Sequence, residues 1–570
     1  MNSRIYQREG RVVHFQWTEH DAKLWRSLLE GIKAIPGRRW VPEAKYWEAP
    51  WDQHACQVIQ ELGFLPGEVK ASTVVNLEAV SEEVKREIRA KKDAARKKEV
   101  LEELAKPWIP PWQGIEIDES RLPGRRPYQI ESMRFLKQRN GRGLIGDDMG
   151  TGKTCQALSW LELNPAMRPA VVVCPAAVKW QWLSQARMWM SKNGSPVEIL
   201  SGRTVPRWKP LSGNRIYVVN WDILSSWADW LEEQSPKIII GDECQAISNL
   251  SSGRTKAFLK LAKPLDRHVI PMSGTPITRC PEQFFPVLNL LDPETFPKLK
   301  PYQWHFCGAH KTAFRFDATG ASNVEELHLK IRPLMIRRTK KEVAPELPEK
   351  IRTPILLECV KDAEYEAIED RVLQLQGFSN IELKQGLEEL SRSAFALKRK
   401  AVLDWVSDFL QESDEKLIIF AWHRLVVDSL VQTFGRQCIA IHGGVPAVQR
   451  PGLVARFQQD PSCRICVANI VSGGTGVDGL QDVCSSVAFV ELTTVPGHVM
   501  QAEDRAHRIG QRNCVNAWYL LGAGTIDEDM LDVLEERRIT FGTIMDGMAA
   551  AEQDDARLVL GRLKKRKGLL

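Results

Sequence analysis

The run Asp147-Asp-Met-Gly-Thr-Gly-Lys-Thr154 follows a short apolar stretch and opens a helical pattern, the context that a phosphate-binding loop needs. Gly150 and Gly152 let backbone N–H groups approach phosphate oxygens closely, and the N-terminus of the helix adds partial positive charge. Lys153 is then placed to reach the β- and γ-phosphates, and the Thr154 hydroxyl to ligate Mg²⁺. The strict pattern begins with glycine, where this chain has Asp147. A second run, Lys237-Ile-Ile-Ile-Gly-Asp-Glu243, is an apolar strand ending in two carboxylates. Asp242 suits a Mg²⁺ shell, and Glu243 suits orienting or deprotonating an attacking water. A third, Gln501-Ala-Glu-Asp-Arg-Ala-His-Arg-Ile-Gly-Gln511, carries Arg505 and Arg508 three apart. On a helix they share a face and can grip a γ-phosphate held by another part of the chain. Alone, each run has a plainer reading: a glycine turn capping a helix, a strand leading into an acidic turn, a solvated charged helix. Together they point to phosphoryl transfer from a triphosphate.

Such residues act only if strands and helices deliver them to one cleft, and the surrounding pattern is suited to that. After Gly114 short apolar runs alternate with amphipathic stretches: Gly143-Leu-Ile-Gly146, Ala170-Val-Val-Val-Cys174, Ile216-Tyr-Val-Val219 and Ile238-Ile-Ile240. This is the signature of parallel strands joined by crossover helices. The pattern pauses over a largely helical segment, residues 362–412, and resumes with Leu417-Ile-Ile-Phe420, Ile439-Ala-Ile441, Ile465-Cys-Val467 and Val487-Ala-Phe-Val490. The expected class is α/β, with a first lobe at 114–353, a helical insertion at 354–413, a second lobe at 414–545 and a basic tail at 546–570. Residues 1–66 read as a small α+β domain. Val13, Phe15 and Trp17 alternate as in a half-buried strand, while Leu24, Trp25, Leu28, Leu29 and Ile32 follow helical spacing up to Pro36-Gly37. Residues 67–113 read as a linker, charge-dense and helical from Ser81 to Lys106 and ended by Pro107, Pro110 and Pro111.

A chain of 570 residues exceeds what one core supports, and its 43% hydrophobic and 26% charged shares are those of an ordinary globular protein. Its apolar runs are strand-sized, short of the roughly 20 residues that cross a bilayer. The first residues carry no secretory pattern, so a soluble intracellular protein is expected. The twelve cysteines form no disulfide-like framework, and the single C-x-x-C, Cys463 and Cys466, lacks a second pair at zinc spacing. Both are expected in the core, as free cysteines usually are. A net charge of +6 permits a polyanionic partner without requiring one.

In order and spacing these motifs resemble the helicase-like ATPases of superfamily two, and within them the Swi/Snf-related family, from Arg125 to about Arg538. Pro127-Tyr-Gln129 is similar to the family's upstream glutamine motif, which implies that Gln129 contacts adenine. The loop usually reads Asp-Glu-Met-Gly-x-Gly-Lys-Thr, with Asp148 here in place of Glu, and implies nucleotide contacts from Asp148, Met149, Gly150, Thr151, Gly152, Lys153 and Thr154. The run from Pro175 to Trp182 resembles the block that touches the DNA backbone, which implies roles for Lys179 and Trp180. Ser273-Gly-Thr-Pro276 resembles the segment coupling hydrolysis to lobe movement, and with Gln245, Gly476 and Gln501 it implies an interlobe set that includes Ser273 and Thr275. Phe285-Pro-Val-Leu-Asn-Leu-Leu-Asp-Pro293, Arg337-Arg-Thr-Lys340 with Leu347-Pro348, Ile441-His-Gly-Gly444 and Ser472-Gly-Gly-Thr-Gly476 continue the family order. Two further positions depart from it: Gln245, where the family has His, and Thr475, where it has Leu. A Gln at 245 can still donate a hydrogen bond across the cleft.

The resemblance implies two RecA-like lobes with parallel sheets, ATP and Mg²⁺ between them, and Arg505 and Arg508 arriving from the second lobe. Ala34-Ile-Pro-Gly-Arg-Arg-Trp40 with Tyr46-Trp47 further resembles the HARP-type domain that accompanies annealing helicases. There Arg38, Arg39, Trp40, Lys45 and Trp47 can form a basic, aromatic surface for unpaired bases, or the two tryptophans can simply be core. Lys564-Lys-Arg-Lys567 is open to phosphate contact, a nuclear address or plain solvation. The implied activity is ATP-driven translocation on duplex or forked DNA, in a monomer with protein partners unknown and no membrane. The expected setting is a bacterial or viral cytoplasm, or a nucleus in a eukaryote. Rival readings are a remodeller of protein–DNA complexes such as a stalled polymerase, an RNA helicase, and an ATP-gated DNA clamp without hydrolysis.

Overall fold

The structure, a computed structural model, describes residues 3–9, 11–18, 22–41, 46–66, 93–191, 196–205, 214–311, 316–374, 380–446, 448–473 and 478–547. These fall into two compact units dividing between Glu103 and Leu104. The side chain of Ser472, the whole of Thr475, Gly476 and Lys45, most of the expected linker and the basic run 564–567 lie outside the described residues.

In the first unit, β1 (Ser3–Glu9), β2 (Val12–Thr18), β3 (Arg39–Val41), β4 (Tyr46–Pro50) and β5 (Leu65–Pro66) form one sheet in the order β3-β4-β2-β1-β5. The expected alternation holds for Val13 and Phe15, both fully buried with Leu28 and Ile32 of the helix Ala22–Ala34. That helix stops before Pro36-Gly37, where Gly37 takes φ +73°, a turn that side chains with a Cβ rarely adopt.

The second unit holds two parallel sheets. The first contains β6 (Leu144–Ile145), β7 (Ala170–Cys174), β8 (Val197–Ile199), β9 (Ile216–Asn220), β10 (Ile238–Asp242), β11 (His268–Met272) and, after a hairpin of β12 (His310–Lys311) and β13 (Phe316–Asp317), β14 (Met335–Ile336). Their order is β14-β6-β11-β10-β7-β9-β8. Its central strands β7, β9 and β10 read as apolar runs because both faces are covered. Val171, Val173, Ile239 and Val269 belong to the core on one face, and Val172, Cys174, Ile240 and Ile270 to the core on the other. The second sheet, β15 (Lys350–Leu357), β16 (Leu417–Ala421), β17 (Cys438–Ile441), β18 (Ile465–Asn469), β19 (Ser486–Phe489) and β20 (Val515–Gly522), runs β15-β20-β19-β16-β18-β17. It repeats the arrangement, with Ile418 and Phe420 on one face and Leu417 and Ile419 on the other. Cys463 and Cys466 are buried free thiols, Cys466 within β18. No described helix is long and apolar enough to cross a membrane.

Three connections differ from a simple lobe–insertion–lobe order. The strand β15 pairs wholly with β20, so the second sheet begins at Lys350, ahead of the expected boundary at 353. The helix Asn380–Glu412 packs Phe395, Val402 and Val406 onto the second sheet instead of standing between the lobes. The helix Ile526–Asp546 begins against the second lobe through Leu534 but delivers Phe541, Ile544 and Met545 into the first lobe's core. There the His328 ring donates from Nδ1 to the Ile544 carbonyl at 2.9 Å, and Arg337 pairs with Asp546 at 2.8 Å. Apolar burial drives this crossing, because the last two turns present a face that only the first lobe covers.

Candidate functional site

The strand β6 is only two residues long because the chain must turn at once: a Cβ on Gly146 would lie 2.6 Å from Met335 Sδ. The loop that follows has Gly150 at φ +83° and Gly152 at φ +84°, and Gly152 opens the helix Lys153–Leu163. Both conformations favour glycine and turn the loop around the Lys153 ammonium. Lys153 Nζ donates to the carbonyls of Asp147 at 2.9 Å and Asp148 at 3.0 Å. Burial lowers its pKa, while Glu243, Asp147, Asp242 and Asp148 act in the opposite sense. One ammonium therefore feels the carboxylates of two separate motifs. Thr154 lies half-buried in the first helical turn.

The expected nucleotide contacts divide in their placement. Gln129 is buried, its Oε1 accepting from the Arg126 N–H at 3.0 Å and its Nε2 donating to the Thr151 carbonyl at 3.2 Å. The amide therefore clasps the loop from behind. Met149 is buried, and a Cβ on Gly274 would meet its Cγ at 2.8 Å, so it backs the loop against the Ser273–Thr275 segment. Asp147 and Asp148 are held by arginines from β14's far end. Arg338 pairs with Asp147 at 2.6 Å and Arg337 with Asp148 at 2.8 Å. The Arg338–Asp147 contact is bidentate and buried, Nε and a terminal nitrogen meeting the two carboxylate oxygens at 3.0 and 2.6 Å, and it fixes the loop's entry.

The strand β10 ends in Asp242, whose Oδ2 accepts from Trp182 Nε1 at 2.9 Å. Burial and then the adjacent Glu243 carboxylate raise its pKa, with the Trp182 bond and Lys153 opposing them. Glu243 sits at φ +55°, ψ +59°. A non-glycine residue held in that region persists only where its surroundings impose it, which is common in functional sites. Its Oε2 accepts from Gln245 at 2.8 Å, from Ser273 Oγ at 3.3 Å and from Gln501 Nε2 at 3.5 Å. Gln501 also reaches Thr275 Oγ1 at 3.3 Å, and the Thr275 N–H donates to Ser273 Oγ at 3.0 Å. The bond across the cleft therefore comes from Gln501 of the second lobe. Gln245, expected to make it, instead donates to Glu243 two residues earlier in its own lobe.

Arg505 and Arg508 do not share a helical face. The helix Pro496–Glu503 ends before them, and they lie in the turns that follow. Both donate to Asp478, which also accepts from Gln181 of the first lobe. A Cβ on Gly150 would lie 3.5 Å from Arg508 Cγ and 3.8 Å from Lys340 Cε, so both cations stand over the phosphate loop. Burial pushes each arginine down to about 10, leaving it charged at neutral pH.

The segment carrying the arginines is anchored by Glu503, which is fully buried among Lys350 at 2.8 Å, Arg352 at 2.8 Å and Arg538 at 2.9 Å. Burial would raise its pKa, but those three cations hold it well below the ordinary carboxylate range. Replacing Glu503 with Gln removes the carboxylate that all three cations share, although Lys350 keeps Asp504 and Arg538 keeps Glu535, a loss expected at the lower end of a broken buried pair, about 3 kcal/mol of folding stability. Denaturant unfolding of the variant checks this; a loss of only about 0–1 kcal/mol, as for an exposed pair, would contradict it.

Among the expected DNA contacts, Trp180 is 57% exposed, whereas Lys179 is buried with Nζ on the Leu200 carbonyl at 3.0 Å. The ammonium is turned inward because the carbonyl at the end of β8 satisfies it there. In the first unit Arg38 and Arg39 are exposed. Arg38 donates to the Ile35 carbonyl at 3.2 Å, and Arg39 pairs with Glu48 at 3.1 Å. Trp47 packs on the core while half-buried Trp40 leans on it, ring centroids 5.6 Å apart. Trp182, Arg337, Arg338, Lys340 and Asp478 touch the candidate site residues, and the motif reading gave them no role. The first four lay inside quoted blocks, whereas nothing in the sequence signals Asp478.

Comparison with known proteins places these blocks. A family described as SNF2-related domain matches residues 128–397, and one described as helicase conserved C-terminal domain matches residues 398–510. The DNA annealing helicase and endonuclease ZRANB3 of Mus musculus is 30% identical over 453 residues, covering 75% of this chain and 42% of that protein. The SWI/SNF-related matrix-associated actin-dependent regulator of chromatin subfamily A-like protein 1 of Xenopus laevis is 30% identical over 431 residues, covering 74% and 44%. Its homolog in Caenorhabditis elegans is 30% identical over 437 residues, covering 75% and 63%. The chain thus spans less than two thirds of each relative's length.

Proposed function

The chain belongs to the SNF2-related, helicase-like ATPases, and from that premise we propose that it hydrolyses ATP to translocate on duplex or forked DNA. The observation that carries this reading is the cleft itself. Glu243 of the first lobe is bonded to Gln501 of the second, while Arg508 stands over Gly150 of the phosphate loop. Hydrolysis and lobe contact thereby depend on the same carboxylate.

In this reading Lys153 exchanges the Asp147 and Asp148 carbonyls for phosphate oxygens. Thr154 and Asp242 would hold Mg²⁺, which would neutralise charge on the triphosphate. Glu243, kept in place by Gln245 and Ser273, takes a proton from the attacking water or orients it. Arg505 and Arg508 leave Asp478 for the γ-phosphate, where charge spreads in the transition state. Because Gln501 bonds Glu243 and Thr275 together, movement of the second lobe changes the base's surroundings. The DNA is gripped through phosphates, so movement is independent of sequence and weakens steeply with salt. The exposed Trp180 supports a nucleic-acid face on the first lobe, and the annealing-helicase name of the ZRANB3 relative supports forked DNA as the track.

ATPase rates with single-stranded, duplex and forked DNA and with RNA, run in parallel, test this. Stimulation by duplex or forked DNA is expected, with the fork preference lost on deleting residues 1–66. Equal stimulation by every polymer would overturn the assignment of the track. Absence of turnover would favour an ATP-gated clamp. Displacement of a stalled polymerase without fork preference would favour a remodeller of protein–DNA complexes. Gln501→Ala is expected to lower DNA-stimulated turnover about 10- to 100-fold, the equivalent of one hydrogen bond to a charged group, with nucleotide affinity unchanged. Equal loss of basal and stimulated rates would show that Gln501 does not couple the lobes.

A further inference from the structure

We propose that Lys340 is a positioning residue that ties the phosphate loop to both arginines of the second lobe; this deepens the ATPase reading and rests on it. Its backbone N–H donates to Asp148 Oδ2 at 2.9 Å. Its side chain crosses to the second lobe, where Nζ pairs with Asp504 at 2.7 Å and donates to the His507 carbonyl at 2.5 Å. Asp504 immediately precedes Arg505, and His507 immediately precedes Arg508. One buried ammonium therefore holds the residue before each arginine, while its own backbone reads the loop that the arginines face.

The placement is built from local chemistry. Thr339 caps the short helix Lys340–Val343, and the Glu342 carboxylate accepts from the Thr339 N–H at 2.6 Å, so the Lys340 N–H is directed at Asp148. Arg337 holds the other oxygen of Asp148 at 2.8 Å. On the far side Arg508 Nε donates to the Asp504 carbonyl at 3.1 Å, and Lys350 pairs with the Asp504 carboxylate at 3.0 Å. A displaced Asp148 thus moves Lys340, and Lys340 moves the turn from which both guanidinium groups project. The sequence placed Arg337-Arg-Thr-Lys340 in a family block without assigning this lysine a role.

The charge on Lys340 supplies a signature. Burial draws its pKa down to about 8, against the attraction of Asp504. The groups facing it do not change protonation state in that window. Asp504 is kept low by Lys340 and Lys350 in spite of its burial, Lys350 is kept high by Asp504 and Glu503, burial keeps His507 low, and Arg508 lies at about 10. Below pH 8 the ammonium holds the turn; above it the ion pair with Asp504 is lost.

The test is steady-state ATPase at saturating duplex DNA, with binding of a fluorescent ADP analogue and thermal melting measured alongside. Lys340→Met is expected to lower kcat about 100-fold, the scale of misplacing a catalytic group by an ångström, with KM and ADP affinity within about threefold of the parent. The parent's kcat should fall as pH rises through about 8, and Lys340→Arg, whose guanidinium stays charged, should restore turnover and abolish that fall. A Lys340→Met variant with parental kcat, or a high-pH fall that persists in Lys340→Arg, would overturn the proposal. The pH comparison uses two folded proteins, so it decides even if Lys340→Met does not fold. If Glu243→Gln turns over normally in the same assay, the hydrolase reading itself has failed; if Glu243→Gln is dead and Lys340→Met is normal, only the role of Lys340 has.

Discussion

Glu243→Gln is expected to bind ATP as tightly as the parent and to lose turnover about 10²- to 10⁴-fold, the range that a positioned general base contributes. The substitution keeps the shape of the side chain and its capacity to accept from Gln245 and Ser273, but it removes the charge that draws a proton. The strained backbone at this residue makes the expectation sharper. A carboxylate fixed at φ +55° and bonded on three sides has little freedom to be replaced by a neighbour. Asp242, the adjacent acid, is held by Trp182 through its Oδ2 at 2.9 Å. Single-turnover hydrolysis with preformed ATP complex separates the outcomes. Retained hydrolysis would remove Glu243 from the chemistry, and lost ATP binding would make it a structural residue of the pocket.

Arg508→Ala is the second large effect, an expected loss of about 10³- to 10⁵-fold in kcat with nucleotide affinity largely kept. Arg508 stands nearest the phosphate loop of the two arginines, by its approach to Gly150. It remains charged although burial lowers its pKa to about 10, so the cost of burying it is already met by the fold and is not charged to each turnover. Arg508→Lys is expected to recover little, because an ammonium lacks the planar fork that spans two phosphate oxygens. Arg505→Ala measured in parallel assigns the roles. If Arg508→Ala turns over within tenfold of the parent while Arg505→Ala does not, Arg505 is the group that meets the γ-phosphate.

Much of the catalytic set was legible because its geometry is local. A glycine pattern ahead of a helix dictates a phosphate loop through backbone conformation alone, and a strand that ends in two acids delivers them at a sheet edge. The central strands of both sheets could be read from apolar runs, since a strand covered on both faces has no polar side to show, whereas β8, β11, β14, β15 and β20 were not read. What stayed hidden depends on distance along the chain. Arg338 meets Asp147 across 191 residues and Lys340 meets the His507 carbonyl across 167. No local spacing encodes those meetings. The direction of a long side chain is equally illegible: Lys179 and Gln245 sit in the expected blocks, yet one turns into its lobe and the other toward its own carboxylate, each drawn by the nearest unsatisfied partner. Arg505 and Arg508 had the right spacing for a helix, but the helix stops at Glu503, where three cations hold the chain.

The helix Ile526–Asp546 has a consequence for how the protein is made. Phe541, Ile544 and Met545 complete the first lobe's core, and Asp546 completes the ion pair of Arg337, which lies 209 residues earlier. At synthesis rates of about 5–20 residues per second, that seat stays open for roughly 10–40 s after the first lobe has been made. Of the two lobes, the one that carries the phosphate loop is thus synthesised first and finished last. Its apolar seat is exposed to other chains throughout the interval, and the final helix that covers it also fastens the two lobes to each other.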